Sequence, residues 1–217
     1  PFIDKEFLEI SNKLNIIYPE DIVHETNFTA YSITKNVINQ NLKGCFVECG
    51  VFKGQKVAFF LETLKSMGIY DRDVFLVDTF EGMTEPSKDD IQMISDRKMF
   101  KGDKLAILEN VKQNIYKTGY PKDKIHFVKM DVRSEEDLKK NINREIAVLR
   151  LDTDFFDSTW SILNSLYNNV VVGGYLIHDD YGHWKGHYEA CKKFYSTNKI
   201  RPLLIRTCRK ERVEIKI

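Results

Sequence analysis

The chain has 217 residues, enough for one domain with a sizeable core. Its 33 basic and 32 acidic residues leave a net charge of +1, and no clustered basic face stands out, so no nucleic-acid partner is expected. No apolar run reaches the roughly 18–20 residues of a membrane span, so no membrane association is expected either.

The first residue is Pro1 and no signal peptide is visible, which reads as a processed or excised fragment. Cys45, Cys49, Cys191 and Cys208 include no CxxC pair. Buried free thiols in a reducing cytoplasm are expected, and hence a cytoplasmic protein.

In chain order, "DKEFLEISNKLNII" places Phe7, Ile10 and Leu14 on one helical face, with Asp4 as N-cap. A second helical pattern covers about 29–41 and ends near Gly44. Residues 1–43 therefore form an N-terminal helical elaboration, and a second unit runs over 44–217. From there short apolar runs alternate with amphipathic segments. "CFVECG" (45–50) and "DVFLVD" (73–78) read as strands, with a helix over 54–68 between them that Gly68 closes. A helix over 103–119 follows, capped by Asp103 and ended by Gly119. "KIHFVKMD" (124–131) and "EIAVLRLD" (145–152) are strands flanking a short helix at about 134–141, whose "SEEDLKK" run alternates in sign like a solvated face. A helix over 158–170, a strand over 173–180 and a helix over 186–198 come next. "RPLLIRTC" and "ERVEIKI" close the chain as two strands around the polar turn "RKE".

This alternation predicts a doubly wound α/β fold: a mostly parallel sheet covered on both faces, with an antiparallel hairpin at its C-terminal edge. Ligands in such a sheet sit at the carboxyl ends of the strands. Asp78, Asp131, Asp152 and the pair Asp179–Asp180 occupy four of those ends, and "ECGVFKG" follows the first strand.

In "VECGVFKG", Gly50 follows a strand and Gly54 opens a helix, so a ligand can approach the backbone. Phe52 stands where a dinucleotide fingerprint needs glycine, which disfavours a nicotinamide-dependent oxidoreductase, and no P-loop signature is present. An ordinary strand–turn–helix connection is the alternative. Glu48, a carboxylate inside an apolar strand, suits a ligand's amino group. Asp78 is placed to accept from ribose hydroxyls, and Asp131 to meet an adenine amino group; loop or helix capping would explain either. Ribose, adenine and an ammonium group beside a glycine turn describe S-adenosylmethionine.

Asp152 and Asp179 lie 27 residues apart, one strand–helix–strand step, so neighbouring parallel strands bring Asp152 close to Asp179 and Asp180. Three unpartnered carboxylates would repel, and a hard divalent cation, Mg2+ or Mn2+, resolves this. Capping of the next helix is the alternative for the pair, and His178 and His183 offer a softer metal as another. Asp154, two residues beyond Asp152 on an extended exit, shares its face and reads as a general base, or as a cap. Asp157 suits the N-cap of the following helix.

Together, "FVECGVFKG", "VDTFEGM", "LRLDTDFFDST" and "GGYLIHDDYGHWKG" resemble the macrocin O-methyltransferase family, typified by macrolide and aminocoumarin sugar O-methyltransferases, over about residues 28–195. The resemblance implies a class I, Rossmann-like, S-adenosylmethionine-dependent and Mg2+-dependent methyltransferase domain acting on a sugar hydroxyl. It implies metal ligation by Asp152, Asp179 and Asp180, a base at Asp154, and cofactor contacts around Asp78, Phe80 and Gly82. The full expected cofactor set is Glu48, Gly50, Val51, Gly54, Asp78, Phe80, Gly82, Asp131 and Asp152. The similar catechol O-methyltransferases place a lysine base three positions past the first metal aspartate, where this chain has Phe155. The chain departs from the family pattern at Gln55–Lys56, usually Gly-Ser, and at Met130, usually Gly.

The acceptor is expected to be a sugar, either nucleotide-linked and bound for a surface polysaccharide or part of a natural product. A non-catalytic cofactor-binding domain is the alternative from another class. The long polar segment 79–103 is expected to act as a lid. The N-terminal helices are expected either to form a homodimer contact or to cap the site of their own subunit.

Overall fold

Seven strands form one sheet in the order β3-β2-β1-β4-β5-β7-β6. They are β1 (Cys45–Cys49), β2 (Val74–Asp78), β3 (Ile125–Lys129), β4 (Ile146–Leu151), β5 (Val170–His178), β6 (Leu204–Arg206) and β7 (Arg212–Ile215). The computed structural model describes residues 4–19, 25–95 and 98–217. Residues 1–3 and 20–24 of the expected N-terminal elaboration, and 96–97 of the expected lid, lie outside the described residues.

β1 to β5 run parallel, and β7 inserts antiparallel between β5 and β6. The expected doubly wound sheet with one reversed strand is therefore what forms. Strand order reverses between β1 and β4, the switch point at which parallel sheets open a crevice.

The strands bury both faces, as a doubly covered sheet requires. Phe46, Leu76, Val148 and Ile177 point to one side, and Val47, Val77, Leu149 and Leu176 to the other. Helices α1 (Lys5–Asn15), α2 (Glu25–Asn39), α3 (Gln55–Ser66) and α4 (Leu108–Tyr116) cover the first side. The second is covered by α5 (Glu135–Asn141), α6 (Phe156–Leu166) and α7 (Lys185–Thr197).

Asp4 caps α1 as expected: its Oδ1 accepts from the Phe7 N–H at 3.1 Å, and Phe7, Ile10 and Leu14 are buried. The two N-terminal helices pack on α3 of the same chain, with the Phe7 and Phe59 rings 6.0 Å apart and Lys13 paired to Glu62 at 2.7 Å. α2 begins at Glu25, earlier than its pattern suggested, because Thr26, Asn27 and Thr29 are buried polar residues that a hydrophobic count overlooks.

Two expected caps are corrected. α4 begins at Leu108, five residues after Asp103, because Lys104 adopts a left-handed φ of 58° that a helix cannot continue through. Asp103 instead accepts from the Phe100 N–H at 3.0 Å, closing a loop turn. Asp157 lies inside the first turn of α6 rather than at its cap. The cap comes from 66 residues away, where Asp90 Oδ1 accepts from the Phe156 N–H at 2.9 Å. All four cysteines are free; Cys208 is only half-buried, against the expectation that it is buried, because it sits in the β6–β7 turn.

Among the described residues, no helix is long and apolar enough to cross a membrane. The long connection after β2 is held across the mouth of the sheet. Gln92 bridges Trp184, the Met93 N–H donates to the His183 carbonyl at 2.7 Å, and Met99 packs with Phe155 and Trp184.

Candidate active site

A cleft of about 730 Å3 opens at the carboxyl ends of β1, β2, β4 and β5. Its depth is set by Gly50, which has a φ of 83° and lies so close to β4 that an added Cβ would stand 2.0 Å from the Asp152 carbonyl oxygen. Only glycine allows the turn after β1 to come this near the β4 exit.

Asp78, the last residue of β2, ties two loops together. Its Oδ2 accepts from the N–H groups of Val51 (2.7 Å) and Phe52 (3.1 Å), and its Oδ1 from that of Phe80 (2.8 Å). Phe52 and Phe80 both adopt left-handed φ values, of 48° and 55°, which these bonds help to hold.

Parallel register puts Glu48 of β1 directly beside Arg150 of β4. Sequence reasoning did not single out Arg150, although a lone cation inside "AVLRLD" is the signal. Its side chain is 1% exposed and pairs with Glu48, with Asp152 at 2.6 Å and with Asp179 at 2.6 Å. Burial pushes the Glu48 carboxyl up to about 7, against the pull of Arg150. Glu48 Oε1 accepts from Arg150, whereas Oε2 is buried with no hydrogen-bond partner.

Asp152, Asp179 and Asp180 converge because β4 and β5 are neighbours: the Asp152 N–H donates to the Cys49 carbonyl and the Asp179 N–H to that of Leu151. One oxygen from each of the three lies within 4.8 Å of the others. The premise that they lack partners is corrected. Asp179 Oδ1 is held by Arg150, and its Oδ2 by Lys210 at 2.5 Å. Burial raises the Asp179 carboxyl, but Arg150 and Lys210 together outweigh it and hold the group well below the usual carboxylate range. Lys210, from the β6–β7 turn, carried no signal in the sequence, where it is one more cation in "RKE".

Asp154 is not on an extended exit, as expected, but adopts a left-handed φ of 62°. Its N–H donates to Asp180 Oδ2 at 3.2 Å, and its carboxylate groups with Asp180 and His183. Burial, with repulsion from Asp180, Asp152 and Asp179, pushes Asp154 well above the usual range. Burial does the same to Asp152, with Asp179 and Asp180 adding to it and Arg150 opposing.

Asp131 follows β3 and lines the cleft, but is engaged by Arg133, whose Nε lies 3.0 Å from both of its oxygens. Val51 and Gly82 also line the cleft. Gly54 and Phe80 do not. A Cβ on Gly54 would face Ile115 and Val111 of α4, and Phe80 is buried in the core. Ile17, Tyr18 and Pro19, just after α1, form part of the cleft wall, a contribution the sequence did not signal.

A hard divalent cation fits this donor set. Asp152, Asp179 and Asp180 offer oxygen donors where they converge, and His183, grouped with Asp154 and Asp180, adds a nitrogen donor beside them. His178, His187 and Cys191 also cluster, but all are fully buried in the core behind the cleft and none lines it. His178 makes its bonds there to Cys191 at 3.5 Å and Tyr195 at 3.0 Å.

The sheet order, the reversed β7 and a ligand cleft at the switch point define a class I, Rossmann-like methyltransferase fold. Residues 27–208 match the Macrocin-O-methyltransferase (TylF) family, and the chain belongs to it. It is 32% identical over 151 residues to demethyldecarbamoylnovobiocin O-methyltransferase of Streptomyces niveus. It is 30% identical over 149 residues to the 8-demethyl-8-(2,3-dimethoxy-alpha-L-rhamnosyl)-tetracenomycin-C 4'-O-methyltransferase of Streptomyces olivaceus. Each match takes in 68% of this chain but only 56% of the relative's own length. Among solved structures, the O-methyltransferase NovP superposes with a TM-score of 0.75 at 27% identity, covering 88% of this chain and 79% of NovP.

Proposed function

We propose that the protein transfers a methyl group from S-adenosylmethionine to a sugar hydroxyl, with the help of a divalent cation, Mg2+ or Mn2+. The observation that carries this reading is the convergence of Asp152, Asp179 and Asp180 beside Asp154, in a cleft that also holds Glu48.

Each residue has a proposed part. Glu48 Oε2, buried without a partner, accepts from the cofactor's ammonium group. Gly50 and Val51 give the cofactor close access to backbone, Gly82 borders it, Asp78 meets the ribose hydroxyls and Asp131 the adenine end. Asp152, Asp179 and Asp180 hold the cation, which supplies positive charge that favours the ionised form of a nearby acceptor hydroxyl. Asp154 takes the hydroxyl proton, its carboxylate standing beside Asp180 in the same cleft. The acceptor oxygen forms its bond to the methyl carbon as the carbon–sulfur bond breaks, leaving S-adenosylhomocysteine. Arg150 keeps the carboxylates in place, and positioning supplies much of the rate.

A nucleotide-linked sugar is the acceptor we favour, since Lys53 and Lys104, both beside the Phe52 ring in the cleft lining, suit a phosphorylated acceptor. A natural-product sugar is the second reading, favoured by the names of the relatives, one of which specifies a rhamnosyl group. Incubating the protein with S-adenosylmethionine, Mg2+ and panels of nucleotide sugars and glycosides, followed by mass spectrometry, tests both. A gain of one methyl that EDTA abolishes and Mn2+ restores is expected. Full activity in chelator removes the cation from the proposal, and no methyl gain on any sugar removes the acceptor class.

A further inference from the structure

Two cations reach Asp179, and they differ in freedom. Arg150 is 1% exposed and locked by three carboxylates. Lys210 has a side chain 29% exposed and makes one ion pair, to Asp179 Oδ2 at 2.5 Å. Its charge acts on Asp179, Asp152 and Asp180, the three carboxylates proposed to hold the divalent cation.

The backbone fixes where this ammonium starts from. The Gly182 N–H donates to the Lys210 carbonyl at 2.8 Å. A Cβ on Gly182 would stand 2.3 Å from the Arg209 carbonyl oxygen, so the β6–β7 turn is pressed against the loop that carries Asp179 and Asp180. Lys210 lies beyond residue 208, where the match to the family ends.

We propose that Lys210 is an internal counter-ion that stands in for the divalent cation at Asp179 and must withdraw when the cation binds. This rests on the cation reading above. An ammonium and a divalent cation sharing one carboxylate repel each other across a few ångströms of poorly screened space. The ammonium also takes lone pairs that a cation would need. Because its side chain is partly exposed and paired to a single carboxylate, Lys210 can leave, whereas Arg150, buried and held by three, cannot. Lys210 thus stabilises the cation-free site against carboxylate repulsion and lowers its affinity for the ion.

Mn2+ alone, titrated into the whole chain and followed by electron paramagnetic resonance of the free ion, tests this. Lys210→Met should bind Mn2+ more tightly than the unaltered protein, by about tenfold, within the usual range for coupled sites. Lys210→Gln should shift the same way and covers the case in which the methionine variant fails to fold. Asp152→Asn should lose the binding, which locates the ion. A merely structural lysine would weaken Mn2+ binding when removed, so equal or weaker affinity in the Lys210 variants overturns the inference and leaves the cation reading standing. No Mn2+ binding by the unaltered protein or either Lys210 variant overturns both.

Discussion

Glu48 on β1 and Arg150 on β4 stand side by side in the parallel register and form an ion pair that is almost wholly buried. The same guanidinium reaches Asp152 and Asp179, so one side chain joins the proposed cofactor end of the cleft to the carboxylate convergence. Arg150→Met should therefore cost about 3–5 kcal/mol, because it leaves Glu48 buried without its ion-pair partner and Asp179 with Lys210 alone. Urea unfolding followed by circular dichroism measures this; a loss below 1 kcal/mol, on the order of a surface pair, contradicts the hub.

Asp154→Asn should separate chemistry from binding. The amide is similar in size and cannot take a proton, so turnover should fall about a hundred- to ten-thousand-fold, the usual contribution of a general base. Calorimetric binding of S-adenosylmethionine should be unchanged. A kcat near that of the unaltered protein would assign proton removal to another group.

His187 should subtract from stability in mild acid, whereas Glu48, whose carboxyl burial raises, acts in the opposite direction. Burial, with His178 as a neighbour, pushes this imidazole down to about 3. Its unfolded value is about 6.5, so between these pH values the unfolded chain binds a proton that the folded chain does not. Stability is thus fully present above the unfolded value and declines as pH drops below it. The loss from this group should be about 1.4 kcal/mol by about pH 5.5. Denaturant midpoints at pH 8 and pH 5.5 for the unaltered protein and His187→Gln check the sign: the variant should lose less on acidification.

Asp90 links the long segment after β2 to the α6 N-terminus. Asp90→Ala removes the acceptor for the Phe156 N–H and for the Ser87 N–H at 2.8 Å. The cost should be about 0.5–2 kcal/mol, as for other lost caps. Hydrogen exchange should rise over the described parts of 79–103, and cofactor plus acceptor should slow it in the unaltered protein. Exchange indifferent to both ligands would remove the lid role expected of this segment.

Much of the fold was legible from local pattern. Near-continuous apolar runs identified β1, β2 and β4, because a strand between two helical layers must be apolar throughout. Helix starts were read less well: Asp103 and Asp157 have the right chemistry for caps, but Lys104's backbone and Asp90's reach decided otherwise. Local sequence records which residues can cap, not which distant side chain arrives first.

The site divides along the same line. That carboxylates end successive strands and that a glycine turn follows β1 could be read from the chain alone, because strand ends and turns are local properties. The 27-residue interval sufficed to bring Asp152 beside Asp179, since one crossover returns the chain to the next strand. How that charge is balanced depends on contacts between distant parts of the chain. Arg150 is a β4 residue whose partners come from three strand ends, and Lys210 arrives from a hairpin that inserts antiparallel beside β5. Electrostatic partners are set by distance in space, and a residue 31 positions along the chain from Asp179 becomes its neighbour only once the sheet has closed around it.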